Sequence, residues 1–204
     1  MPDRTAHWQA VYMTKAENEV SWFQENPATS LRLIADAKAS SDSRIIDIGG
    51  GASRLVDALL AQGFRSLAVL DISAAALETA KTRLGPRGVD VDWIAADVTK
   101  WRPAKTYDIW HDRAAFHFLT EAADRDAYID RLKSAVAPGG QVIIGTFALD
   151  GPEKCSGLQV ARYDAESLAD TLGAEFELAD NFAEAHRTPW GAIQHFQFSR
   201  FRRA

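Results

Sequence analysis

Apolar residues recur along this chain with two different periods, and the switches between them mark out its elements. Ile45, Ile46 and Ile48 form a short β-branched run, the composition of a strand covered on both faces. After Gly49-Gly50-Gly51 the period changes: from Ala52 onward Leu55 and Leu59, flanked by Val56 and Leu60, return at helical spacing. Leu67 to Leu70 reads as a second strand ended by Asp71, and Ser73 caps a helix that turns Leu77 and Leu84 inward and stops at Gly85-Pro86. Val91 to Ala96 and Thr106 to His111 read as a third and a fourth strand. Glu121 to Val136 is an amphipathic helix with Tyr128, Ile129, Leu132 and Val136 on its apolar side. Pro138-Gly139-Gly140 ends it, and Gln141 to Phe147 supplies a fifth strand. Asp164 caps a helix to Leu172, closed by Gly173, before two last strands at Phe176 to Ala179 and Gln194 to Phe201.

Residues 1–43 precede this alternation and are dense in aromatics: Trp8, Tyr12, Trp22 and Phe23. Trp8 and Tyr12, four apart, share one helical face. Asn26-Pro27 marks a turn, and Ser30 reads as the cap of a helix from Leu31 to about Lys38. Residues 39–43 link it to the first strand. Strands alternating with helices predict an α/β fold, a doubly wound, mostly parallel sheet of seven strands whose last hairpin inserts an antiparallel strand.

The glycine turn is where chemistry enters. A strand, three residues free to take positive φ, then a helix start aim unpaired backbone N–H groups and a helix dipole at a ligand. The dinucleotide fingerprint requires a sixth-position glycine, but this chain has Arg54 there, which argues against a tightly held pyrophosphate. Asp47 lies inside the strand before the turn, Asp71 ends the second strand, and Asp97 closes the third. Three acids at successive strand ends suit a ligand with a cationic or hydroxyl-rich surface.

D-x-G-x-G before a helix, with acids ending the next two strands, resembles class I S-adenosylmethionine-dependent methyltransferases, with a Rossmann-like fold, from about Arg44 to the C-terminus. The resemblance implies that Asp47, Gly49, Gly50 and Gly51 hold the methionine part of the cofactor. Asp71, followed by Ile72, would take the ribose hydroxyls, and Asp97 with Val98 the adenine. Residues 1–43 resemble the lids of such enzymes, with Tyr12 and Trp22 over the cofactor and Trp8 and Phe23 toward the acceptor; residues 44–204 would be the cofactor-binding part of one structural domain. The helix–PGG–strand junction is typical of the family. The [Asp/Asn]-Pro-Pro-aromatic motif of some amino-methylating relatives is absent, which counts against DNA bases or a glutamine side chain as acceptor.

At 204 residues, 47% apolar and 25% charged, with a net charge of −5, the chain has the makeup of a soluble globular domain with no electrostatic footprint for nucleic acid. Neither a signal peptide nor a membrane-length apolar run is present, so a cytoplasmic protein that contacts no membrane is expected. The single Cys155 reads as a bystander, and five scattered histidines argue against a metal site.

Methyl transfer is an in-line displacement that needs alignment and sometimes a base. His117, His111 and Asp112, at the exit of the fourth strand, are the catalytic candidates, with His117 first. Arg113 beside them, and His186 and Trp190 in the turn before the last strand, are candidates for contact with the acceptor. A small-molecule acceptor is expected, with a protein lysine as the second enzyme reading. Two other classes stand beside these: a non-catalytic module that binds S-adenosylmethionine, and a nicotinamide-dependent oxidoreductase, disfavoured by Arg54 and by the lack of a Tyr-x-x-x-Lys pair. The sequence is silent on the oligomeric state.

Overall fold

The computed structural model describes residues 3–204. Seven strands form one sheet: β1 (Arg44–Ile48), β2 (Ser66–Asp71), β3 (Asp92–Ala95), β4 (Tyr107–Arg113), β5 (Val136–Phe147), β8 (Phe176–Arg187) and β9 (Ile193–Arg203). Their order is β3-β2-β1-β4-β5-β9-β8, parallel from β3 to β5, with β9 antiparallel between β5 and β8. The predicted sheet is therefore present, including its inserted antiparallel strand. A two-strand hairpin, β6 (Lys154–Cys155) and β7 (Leu158–Gln159), lies apart from it.

Alternation along each central strand divides the interior into two layers. Ile45, Ile109 and Ile143 face α2 (Ala28–Asp36), α3 (Leu55–Ala61) and α4 (Ala74–Leu84), packing with Leu33, Ile34, Val56 and Leu77. Ile46, Ile48, Trp110, Val142 and Ile144 face α5 (Ala122–Ala135) and α6 (Ala165–Leu172), packing with Tyr128, Leu132 and Leu168. α1 (Arg4–Thr14) buries no residue fully and lies against α4. Asp3 caps it by accepting from the backbone N–H groups of Thr5 and Ala6.

Several boundaries differ from the sequence reading, three of them with structural consequences. α2 starts at Ala28, behind Pro27, so Ser30 lies within the first turn and spends its hydroxyl elsewhere. β5 begins at Val136 and runs through Pro138-Gly139-Gly140, with a register shift against β4 that absorbs the irregular residues. β8 continues to Arg187 rather than ending near Ala179. A bulge between Leu178 and Asp180 re-aims it, and its second half alternates half-buried Phe182 and Glu184 with exposed neighbours. None of its helices is long and apolar enough to cross a membrane, among the described residues.

Candidate active site

The glycine turn is pinned to the end of β2: the Gly49 and Gly50 N–H groups both donate to the Leu70 carbonyl, at 2.7 and 3.3 Å. Gly49 and Gly51 have φ of 66° and 39°, a region other residues enter only at a cost. Space demands glycine there as well. A Cβ on Gly49 would lie 2.6 Å from the Ala115 Cβ, and one on Gly51 would lie 2.6 Å from Asp71 Oδ2. Asp71 is buried, and its Oδ1 accepts from the Ser73 N–H at 2.7 Å. Burial, aided by repulsion from Asp47 and opposed by that hydrogen bond, pushes its pKa up to about 7.

A cavity of about 760 Å³ opens over these strand ends. Asp71, Ile72, Asp97 and Val98 line it together with Trp8, Tyr12 and Trp22. A second cavity of about 580 Å³ adjoins it, sharing Gly49, Tyr12, Trp22 and Arg113, and is also walled by Phe23, Ser30, Asp47, Gly50, Arg54 and His111. All the expected cofactor residues thus come together around this joined space, Gly51 by supporting Asp71 from behind rather than lining it.

The N-terminal segment is tied over this space by polar contacts that sequence spacing did not reveal. Arg4 bridges Asp97 at 3.3 Å and Asp124 at 3.0 Å. The Gln9 side-chain oxygen accepts from the Ser73 hydroxyl and the Ala75 N–H, at 3.1 and 3.2 Å, on the first turn of α4. The Tyr12 hydroxyl accepts from the Trp22 indole N–H at 3.2 Å, and Trp8 packs edge-on to Trp22 and Phe118. Glu17 joins Arg54, beside the glycine turn, to Arg83 of α4, which in turn holds Asp57 at 2.6 Å.

Successive residues at the β4 exit diverge, because a strand aims neighbours at opposite layers. His111 faces the α2 side, with Nδ1 2.7 Å from Asp47 Oδ1 and Nε2 2.8 Å from the Ser30 hydroxyl, both buried. Asp112 faces the α5 side, fully buried. Its Oδ1 accepts from the Ala115 and Phe116 N–H groups at 2.9 and 3.2 Å, and its Oδ2 from the Tyr128 hydroxyl at 2.8 Å. Burial pushes Asp112 up to about 6 against those bonds. It shapes the turn after β4 and lines neither cavity.

His117 corrects the expectation of a base. It is fully buried and lines neither cavity, and its Nδ1 accepts from the Phe147 N–H at 3.3 Å. Burial and the nearby Arg113 charge lower its pKa to about 3, so it packs as a neutral ring against Phe118 and Phe147. His186 lies on β8, not in a turn, and its Nε2 sits 2.7 Å from the Ser21 carbonyl, fastening the N-terminal segment rather than lining the cavities. Trp190 is 62% exposed on the β8–β9 turn and forms no wall. Cys155 does line the larger cavity, as a buried thiol whose pKa burial raises to about 11. Among the described residues no cluster of three or more His, Cys, Asp or Glu is placed to hold a metal ion.

Residues 45–140 match the methyltransferase-domain family model. Among curated proteins, malonyl-[acyl-carrier protein] O-methyltransferase 2 of Ilyobacter polytropus is 26% identical over 137 residues, 67% of this chain and 51% of that protein. Ubiquinone biosynthesis O-methyltransferase of Rickettsia felis is 27% identical over 60% of this chain and 49% of its own length. The chain spans about half the length of the curated relatives it matches. Among solved structures, the N-methyltransferase NodS of Bradyrhizobium japonicum, in complex with S-adenosylhomocysteine, superposes with a TM-score of 0.74 at 18% identity, covering 98% of this chain and 99% of its own. A methyltransferase of Anabaena variabilis gives 0.76 at 13% identity, covering 100% and 96%. Glycine turn, acid-tipped strands and inserted antiparallel strand agree with that match: the chain has the fold of class I S-adenosylmethionine-dependent methyltransferases, and residues 45–140 resemble their methyltransferase domain.

Proposed function

We propose that the protein transfers a methyl group from S-adenosylmethionine to a small-molecule acceptor. One observation carries the reading: the glycine turn closes on the buried Asp71 so tightly that a Cβ at Gly51 would strike its carboxylate, and Asp71 lines one cavity with Trp8, Tyr12 and Trp22. Such a cradle fits a flat, hydroxylated, partly cationic ligand. Asp71 accepts from two ribose hydroxyls, Asp97 and Val98 border the adenine, and Asp47 receives the ammonium group of the methionine part. His111 fixes Asp47 by holding one of its oxygens, which leaves Oδ2 for the ligand. Bound S-adenosylmethionine supplies a sulfonium-activated methyl group. The chain aligns the acceptor and excludes water around it, between Trp22, Phe23 and Arg113.

Neither His117 nor Asp112 reaches the joined cavities, so the reading assigns neither of them a proton transfer. A protein lysine as acceptor is disfavoured by the Arg113 charge at the junction of the cavities. The single thiol suits a reducing, cytoplasmic setting. Calorimetric titration with S-adenosylhomocysteine, with NAD in a parallel cell, tests the reading: micromolar binding of the first alone is expected. Binding of NAD and not of S-adenosylhomocysteine would replace it with an oxidoreductase.

A further inference from the structure

Three arginines line the joined cavities, and two of them are spoken for. Arg4 is paired with Asp97 and Asp124, and Arg54 with Glu17. Arg113 has no carboxylate partner among the described residues. Its Nη1 donates to the Trp22 carbonyl at 2.8 Å, and its guanidinium stacks over Phe196, 4.8 Å from the ring centre. Nε and Nη2 are sealed from solvent with no acceptor. The acids whose charge reaches it are engaged elsewhere: Glu184 accepts from Gln24 at 3.0 Å, and Asp47 faces His111. Burial lowers the Arg113 pKa to about 10, which leaves it charged at neutral pH. An uncompensated buried cation is costly, and its cost is relieved when an anion arrives.

Resting on the methyltransferase reading, we propose that Arg113 is the receptor for a carboxylate on the methyl acceptor. Arg113 shares its cavities with the cofactor residues, but its guanidinium is directed away from the acids that mark the ribose and the adenine. Asp71 and Asp97 mark the ribose and adenine at the ends of β2 and β3. The Arg113 side chain leaves β4 in the other direction and reaches over Phe196 of β9, two strands beyond β4 in the sheet. Chemistry selects a carboxylate over a phosphate. One planar guanidinium fork matches one planar carboxylate, whereas a phosphate dianion would draw on a second cation, and both other arginines lining the cavities are already paired. The aromatic walls, Trp22 and Phe23, cover the acceptor's apolar body.

The test uses the full chain saturated with S-adenosylhomocysteine and follows tryptophan emission, since Trp8 and Trp22 line the space. Acetate, succinate and benzoate are titrated, each against its neutral amide. At least one acid is expected to bind about tenfold tighter than its amide. Arg113→Gln should abolish that preference while S-adenosylhomocysteine affinity stays within about twofold. An absent preference in the wild type, or one that survives in Arg113→Gln, overturns the proposal. So does a folded Arg113→Gln protein whose S-adenosylhomocysteine affinity collapses, because the arginine would then serve the cofactor's own carboxylate. If Arg113→Gln does not fold, Arg113→Lys keeps the charge without the fork: several-fold weaker acid binding is expected, and unchanged binding overturns the proposal. Failure of the wild type to bind S-adenosylhomocysteine sinks the underlying reading instead, while the acid-over-amide preference is still measured on the free protein.

Discussion

Asp47 and His111 are register partners on adjacent parallel strands, and their side chains meet 2.7 Å apart beneath the glycine turn. Ser30 of α2 completes the line on the far side of the imidazole. The Ser–His–Asp order invites a hydrolase reading, but Ser30 is buried within the first turn of α2, so the array works as a brace for Asp47. His111→Leu removes a hydrogen bond to a buried carboxylate and strands the Ser30 hydroxyl. A loss of about 1.5–3 kcal/mol in urea unfolding is expected, with several-fold weaker S-adenosylhomocysteine binding by calorimetry. Unchanged binding in a destabilised protein would remove Asp47 from the cofactor site.

Local chemistry made much of this site legible before the structure. Gly49 to Gly51, Asp71 and Asp97 carry their meaning in their own neighbourhood, because a strand end, a positive-φ turn and an acid are short-range signals. His117 misled for the opposite reason: its Phe-x-Phe surroundings decide its role, and whether such a ring faces a cavity depends on how the turn after β4 folds under Asp112. The second half of β8 was hidden because Asp180, Glu184 and Arg187 read as loop, although the sheet edge leaves one face to solvent and tolerates them. Glu17, Gln9 and Arg4 were invisible, since their partners lie tens of residues away. The sequence marks Arg113 as a contact, but that it has no carboxylate partner, unlike Arg4 and Arg54 beside the same cavities, is a tertiary fact.

Asp71 gives the site a pH dependence. Its pKa of about 7 in the folded protein means that near neutrality a proton competes for the oxygens that would accept from ribose hydroxyls. Affinity for S-adenosylhomocysteine should therefore rise with pH, with a dissociation constant about tenfold larger at pH 6 than at pH 8. Asp71→Asn should bind weakly and show a flatter profile. Equal pH slopes for the two proteins would assign the titration to another group.

Glu17 latches the N-terminal segment by joining Arg54 at the glycine turn to Arg83 on α4, and its side chain is 21% exposed. Partly exposed ion pairs contribute little to global stability, so Glu17→Gln should cost about 1 kcal/mol or less. The larger effect is expected in kinetics: with the latch loosened, S-adenosylhomocysteine should dissociate several-fold faster in stopped-flow displacement. Amides of residues 4–23 should also exchange hydrogen faster. A large loss of global stability with unchanged dissociation would make Glu17 part of the core fold rather than of the lid.

Asp112 sets the shape of the turn that Arg113 leaves from, and its contribution to stability carries a definite sign. Asp112→Ala strands two backbone N–H groups and the Tyr128 hydroxyl, which also accepts from the Trp110 indole at 2.7 Å; a loss of about 2–4 kcal/mol is expected. Burial raises its pKa from 3.8 to about 6, so between pH 4 and pH 6 the folded protein holds this proton more tightly than the unfolded chain does. The group's stabilisation is full below about pH 4 and declines as pH rises through 6. Asp71 titrates with the same sign up to about pH 7 and must be cancelled. The stability of the wild type minus that of Asp112→Asn, measured by urea unfolding at pH 4.5 and 6.5, achieves this because Asp71 is common to both. That difference should shrink at the higher pH, and a difference independent of pH would mean that Asp112 is ionised throughout the range.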